Sequence, residues 1–339
     1  MAAINFGTST YAGEVLNDLI SHAVQGNDTY ENGLVHIESG IQFKQVLPTI
    51  KLGEIIQDNK PTPVSTDSAG TYTIGERYLQ PEEFMVYLEF NPRDYETFWK
   101  PFQPEGNLVF RELDPAVQAK MLRLLIEKKN EYLGQALWMS TKGGGTVGFT
   151  APADGEDLGL VTKKNKYWDG YMKRLLLSAK DDTAPEKVII SGNTVLDTGA
   201  KVEAAFYAMY KACPKQIRKR KMLTFVTDFD VWDLYDTYLS AKDSKYTENK
   251  DVNDYRFKGK RIIPINDIAE QTIILAEFGT DRNSNFWVGV DYANDGDIVK
   301  VEPLQANSEL YFFQMRMKLD VNIVKPGEIV MHSAYINAV

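Results

Sequence analysis

Hydrophobic and polar positions change their period several times along the chain, and each change marks an element. Near the start, "AGEVLNDLISHAV" puts Val15, Leu16, Leu19 and Ile20 on one face of a short helix, closed by the polar turn "QGNDTYENG". From 46 to 92 the period shortens. "QVLPTIKLGEIIQ" and "TYTIGERYLQPEEFMVYLEFN" are rich in Val, Ile, Thr and Tyr and read as extended segments. Between them "DNKPTPVSTDSAG" is a polar tip with little to bury. Two long strands with such a tip predict a projecting hairpin, which needs something to lie on because an isolated hairpin is marginal.

Residues 113–140 carry the clearest helical pattern. Asp114 suits the N-cap and Pro115 the first helical position. Val117, Met121, Leu125, Tyr132, Ala136 and Met139 mark one face, with Leu122, Ile126, Leu133 and Leu137 beside it. Arg123, Glu127, Lys128, Lys129 and Glu131 form the wet side. Such a helix is about 40 Å long, enough to be the spine of a domain. It runs into "STKGGGTVGF", with three glycines at 143–145. "YWDGYMKRLLLSAKDD" reads as strand with a turn at Asp169–Gly170. A helix follows with Val202, Ala205, Phe206, Met209 and Cys213 on its buried face, stopped by Pro214. "KMLTFVTD" reads as a short buried strand and "FDVWDLYDTYLSAK" as a helix. After the polar loop 243–254, "FKGKRIIPIND" and "QTIILAEFG" are apolar strands. In the last long strand Phe313, Met315, Met317, Leu319, Val321 and Ile323 alternate with Gln314, Arg316, Lys318, Asp320 and Asn322. Pro326–Gly327 turns the chain into "EIVMH". Strands scattered among helices without a βαβ repeat make the class α+β.

Composition narrows the function. A chain of 339 residues has enough length for a substantial core. The net charge of -9 argues against wrapping nucleic acid, though not against a local basic face. A lone cysteine, Cys213, rules out an intrachain disulfide framework and fits a reducing compartment. No apolar run reaches the ~18 residues of a membrane span, and "MAAINFGTSTYAG" lacks a signal-peptide pattern. The expectation is a soluble protein that stays inside the cell, with no membrane partner.

Several stretches invite a chemical reading, and each has a plainer one. The glycine run lacks the order of a P-loop, because Lys142 precedes the glycines and no strong helix follows; a C-cap and joint accounts for it. Asp228, Asp230, Asp233 and Asp236 crowd "DFDVWDLYD", and a D-x-D after a strand suits a divalent-metal transferase; capping of the next helix suits it better. "DYANDGDIVKVE" resembles a calcium loop, with Asp291, Asp295, Gly296, Ile298 and Glu302 at its positions. Ala293 cannot ligate, however, and the flanks read as strands, so a hairpin turn is expected. His22, His36 and His332 are dispersed and near no nucleophile motif. Lys215, Arg218, Lys219, Arg220 and Lys221 form a basic run that reads as a connector or interface patch. The expectation is no catalytic residue, no metal and no cofactor.

Taken in order, "YWDGYMKRLL", "ACPKQIRKRKMLTFVTDFDVWDLYD", "YRFKGKRIIPINDIAEQTIILAEFG", "NFWVGVD" and the closing strand up to "KPGEIVMH" resemble segments of tailed-bacteriophage major capsid proteins. That is the Hong Kong 97-type fold, shared with encapsulin shells. The order of arm, hairpin and spine helix is similar too, so the likeness covers about residues 40–335. It implies an N-terminal arm over 1–45, an extended hairpin (E-loop) and return over 46–110, and the spine helix over 111–145. A central axial domain would occupy 146–295 and closing peripheral strands 296–339. The implied function is a non-enzymatic coat protein that assembles in the host cytoplasm into hexamers and pentamers of an icosahedral virion. Its implied partners are itself, portal, scaffolding or protease and decoration proteins, and packaged DNA in weak contact. The alternatives are an encapsulin-like compartment shell, or a transferase using Asp228 and Asp230. No helical charged segment precedes residue 40 as a built-in scaffold, and no crosslinking lysine stands out, although Lys60 lies near the hairpin tip.

Overall fold

The structure is a computed structural model of the chain. It describes residues 9–11, 28–53, 55–56, 58–62, 64, 70, 72–91, 128–142, 163–165, 167–181, 184, 186–242, 255–291, 299–304 and 310–335. In chain order the elements are β1 (Ser9–Tyr11), α1 (Asp28–Glu31), β2 (His36–Glu38), β3 (Gln45–Leu52), β4 (Tyr72–Leu79) and β5 (Glu82–Phe90). Helix α2 covers 128–139. There follow β6 (Ser140–Lys142), β7 (Lys163–Asn165), α3 (Tyr171–Lys180), β8 (Ile189–Gly192), α4 (Gly199–Ala212), β9 (Leu223–Thr227) and α5 (Phe229–Ala241). The chain closes with β10 (Arg256–Phe257), β11 (Lys260–Pro264), β12 (Thr272–Glu277), β13 (Phe286–Val290), β14 (Val299–Pro303), β15 (Tyr311–Ile323) and β16 (Val330–Ser333). The fold is α+β.

Strand β15 organises one sheet. Along one edge it pairs antiparallel with β5 from Tyr311 to Leu319. It also pairs with β14 over Tyr311–Gln314 and with β13 over Leu319–Ile323. β1 extends the sheet beyond β14, and β2 beyond β13. The alternation read in the sequence holds as far as Leu319. Beyond it both faces are buried, and Asp320 and Asn322 are 4% and 5% exposed. The root of the hairpin explains this departure, because Gln80 and Tyr78 cover the polar side of the strand through hydrogen bonds.

A second sheet has the order β10-β11-β9-β12-β16-β8. Its strands carry apolar residues on both faces, which places a core on each side. Leu223, Phe225, Ile273, Leu275 and Val330 pack with α4 and α5. Val226, Ile274, Ala276 and Met331 pack with α2, α3 and the inner residues of β13 and β15. Each large side chain wholly buried here, such as Phe206 or Trp138, contributes about 1.5–3 kcal/mol. Helix α4 starts directly against α5: a Cβ on Gly199 would lie 2.2 Å from the Cβ of Tyr238.

Three expectations change. The segment after Gly170 is the helix α3, not a strand. Its apolar "LLL" looks strand-like, but Tyr171, Met172, Leu175, Leu176 and Ala179 recur at helical spacing and enter one core. On α2, Tyr132 is exposed, whereas Lys129, assigned to the wet side, is buried. The Lys129 amine lies 3.4 Å from the Met315 sulfur and 3.7 Å from that of Met317, and burial pushes its pKa down to about 7. Lastly, α2 ends at residue 139 and a short strand follows. β6 pairs in parallel with β7, so a strand, and not the helix end, precedes residue 143. The glycines themselves, the stretch 113–127, the helical patch 12–24 and His22 lie outside the described residues.

Candidate assembly surface

The hairpin is built by β3 and β4, paired antiparallel from Gln45↔Leu79 to Leu52↔Tyr72. The single extended segment expected over 71–91 breaks at Gln80–Pro81, after which β5 joins the other sheet. Period-two alternation gives the hairpin two unlike faces. Leu47 and Leu79 point to the body and are buried with Ile41, Trp287 and Val324. Val46, Tyr72, Ile74 and Tyr78 stand on the opposite face, and Tyr72 and Ile74 are 71% and 64% exposed. Phe43, Ile55, Ile56 and Val64 nearby in the chain are exposed as well. Single exposed apolar residues are ordinary, but a group on one face of a hairpin is the mark of a contact surface.

The root of the hairpin is fixed by polar bonds. On β2, Glu38 accepts from Gln45 Nε2 at 3.3 Å and Arg282 Nη2 at 3.1 Å, and lies 3.0 Å from His36 Nε2. Burial pushes the Glu38 carboxyl up, but these partners outweigh it and hold it below its ordinary value. Asp320 Oδ2 accepts from the Gln80 amide at 2.8 Å, and its Oδ1 accepts from Arg174 Nη2 at 2.8 Å. Asn322 Nδ2 donates to the Tyr78 carbonyl at 2.7 Å, and Arg77 Nη2 reaches Ser178 Oγ at 3.4 Å. Burial raises the Asp320 carboxyl above its usual range, and Arg174 offsets part of that rise.

Beside this root the chain passes from α2 into β6. The Gly170 amide donates to the Ser140 carbonyl at 2.8 Å, and the Lys142 amide donates to Asp169 Oδ1 at 2.8 Å. A Cβ on Gly170 would lie 2.5 Å from the Trp138 carbonyl oxygen and 2.7 Å from the Ser140 nitrogen, both backbone atoms that cannot swing aside. Gly170→Ala is expected to cost about 2 kcal/mol of stability, read from denaturant unfolding. A cost under 0.5 kcal/mol would show that the two segments separate freely.

The residues singled out for chemistry do not converge. Asp228 sits at the N-cap position of α5, yet its side chain makes no capping bond and Oδ2 is buried without a partner. Burial first, then Asp230 and Glu270, raise its pKa to about 6. Asp230 and Asp233 are exposed, and Asp236 accepts from the Tyr255 hydroxyl. Among the described residues no group of three or more His, Cys, Asp or Glu is placed to hold a metal ion. A carboxyl whose pKa is raised by folding adds stability that is full below its unfolded pKa and fades as pH rises through the folded value. Asp228→Asn is therefore expected to gain about 1 kcal/mol at pH 7 and to flatten the fall in stability between pH 4 and 6. Unchanged pH–stability curves would refute it.

Asp291, first in the calcium-like loop, is buried and accepts from Lys318 Nζ at 3.0 Å. The rest of that loop through Ile298 lies outside the described residues, and Glu302 falls in β14. His36 bonds the Thr280 carbonyl, and the buried His332 bonds that of Thr194, in different sheets. Cys213 is buried in the core between α4, α5 and the second sheet, where burial raises its thiol pKa. Two arginines of the basic run are structural. Arg218 donates to the carbonyls of Cys213 and Lys211, closing the C-terminus of α4. Arg220 bridges Glu277 and Glu328 at 2.6 Å each. Lys215, Lys219 and Lys221 remain exposed. Sequence reasoning missed Arg174 and Trp138, and gave Asp320 only as one of the outward polar positions of the alternating strand.

Helix α2, a hairpin rooted against a long-stranded sheet, and a mixed sheet with a core on each side make up a fold shared with solved phage capsid chains. Solved structures carry the comparison. A chain of the satellite phage P4 procapsid superposes with a TM-score of 0.53, at 10% identity, over 96% of this chain and all of that one. The capsid of Myoviridae phage XM1 gives 0.50 at 9% identity over 90% of each chain. The capsid asymmetric unit of cyanophage A-1(L) gives 0.50 at 12% identity over 91% and 92%. No family model matches the sequence, and no curated protein does.

Proposed function

We propose that the chain is the major capsid protein of a tailed bacteriophage, assembling in the host cytoplasm into hexamers and pentamers of an icosahedral head around double-stranded DNA. The observation that carries this is the hairpin: a two-stranded element anchored on one face and apolar on the other, on a subunit that matches capsid chains from end to end. Such a face is costly on an isolated monomer and useful when laid over a neighbour in a ring-forming, head-to-tail contact. The net charge of -9 suits a wall that faces DNA without gripping it. Function then resides in interfaces and needs no catalytic group. Portal, scaffolding or protease and decoration proteins are the expected companions.

The test is expression of the chain alone and with its neighbouring head genes, followed by size-exclusion chromatography and negative-stain microscopy. Capsomers, sheets or hollow particles are expected. A monomer that stays dispersed at high concentration with those partners present overturns the proposal. Hollow particles that take up protein cargo and never DNA would make it a compartment shell instead.

A further inference from the structure

Two parts of the subunit, the hairpin root and the β6–β7 pair that follows α2, meet at the start of α3. Arg174 reaches each of them through one intermediary, Asp169 towards β6 and Asp320 towards the hairpin. Its Nε donates to the Asp169 carbonyl at 3.1 Å, and Asp169 in turn holds the Lys142 amide of β6 through Oδ1. Its Nη2 donates to Asp320 Oδ1, and Asp320 holds the Gln80 amide at the end of the hairpin through Oδ2. The guanidinium is planar and presents these donors in a fixed fork, so both bonds keep their geometry only while the two acceptors keep their spacing. The surroundings are charged throughout: Lys173 Nζ lies 2.6 Å from Asp169 Oδ1, Arg77 lies close enough to Arg174 for the two cations to repel, and Lys142 pairs with Glu82 at the start of β5. The Lys142–Glu82 pair is half-exposed, whereas the Arg174–Asp320 pair is mostly buried.

We infer that Arg174 is a mechanical coupler, so that displacement of the hairpin root loosens β6–β7 and displacement of β6–β7 loosens the hairpin. Nothing in this depends on the capsid proposal, since every contact lies within one subunit. Coupling of this kind is reciprocal, because each side shifts the same equilibrium that the other reads.

Amide hydrogen exchange with mass spectrometry on the purified full chain tests it, at high salt so that the exposed Lys142–Glu82 pair is silenced. Asn322→Ala removes the bond to the Tyr78 carbonyl on the hairpin side, with the Ile323 amide inside β15 as its one other partner, and Asp169→Asn weakens the hold on the Lys142 amide of β6 together with the local Lys173 pair. Each is expected to raise exchange on the opposite side by about threefold or more, over 140–142 and 163–165 for the first and over 45–52 and 72–79 for the second. Arg174→Lys keeps a cation beside Asp320 but cannot span both acceptors, and in that background both cross-effects should vanish. Unchanged protection of β9 and β12 certifies the fold; where Asn322→Ala disturbs it, Arg77→Lys replaces that variant at the hairpin root. Loosening confined to the mutated side in the Arg174 background, or cross-effects that persist undiminished in Arg174→Lys, overturns the inference.

Discussion

If the chain assembles as proposed, the double variant Tyr72→Ser, Ile74→Asp is expected to leave the subunit folded and to abolish shells. Both side chains stand on the exposed hairpin face and contribute nothing to a core of the subunit. Exposed substitutions of this kind move stability by about 0.5 kcal/mol or less, so the thermal midpoint should stay within about 2 °C of the parent chain. Assembly should respond far more strongly. If each hairpin covers a neighbour, burying a Tyr and an Ile contributes about 1.5–3 kcal/mol apiece at every contact. A shell repeats that contact in every subunit, so particle yield at fixed subunit concentration should drop by well over about tenfold. Microscopy and sedimentation read the outcome. Normal particles from this variant would remove the hairpin from the assembly surface.

Arg174→Met is expected to be the most damaging single change to the subunit itself. It leaves Asp320, 4% exposed, with its Oδ1 charge unpaired. Breaking a buried pair from one side costs about 3–5 kcal/mol. The direction with pH follows from the carboxyl. Burial already holds Asp320 above its ordinary pKa, and losing Arg174 raises it further. The protonated form is then the one the fold prefers, so the deficit should be smallest near pH 4 and grow as pH rises. Adding Asp320→Asn should recover about half of the loss at pH 7, because the amide still accepts from Gln80 and carries no charge. Denaturant unfolding of the three variants across pH decides it. A deficit independent of pH, with no recovery in the double variant, would mean that Arg174 acts through packing alone.

What the sequence disclosed depended on how local the cause was. The alternation of β15, the stripe of Val202, Phe206 and Met209 on α4, and the buried strand β9 follow from side chains meeting their nearest layer, and these were legible. So was the pairing of the hairpin's two strands, although not where the second one ends. The misread features have distant causes. Segment 171–180 reads as strand because "RLLL" carries two periodicities, and only the core shared with Trp138 and Phe286 selects the helical one. Lys129 was placed in water because nothing nearby in sequence announces the thioethers of Met315 and Met317. The break at Gln80–Pro81 is fixed by Asp320, 240 residues away. The hairpin was therefore foreseeable as an element, and its anchorage was not.

The larger hydrophobic core joins α2, α3, β13, β15 and one face of the second sheet. Parts that a capsid description assigns to a periphery and a centre thus share one set of buried side chains. A rigid block of this kind transmits a push without absorbing it. Strain arising where subunits meet must then be taken up outside the block, in elements such as the hairpin, whose buried apolar anchors are Leu47 and Leu79. A shell built from such units would behave as stiff tiles on compliant joints, and its resistance to internal pressure would be set by the joints.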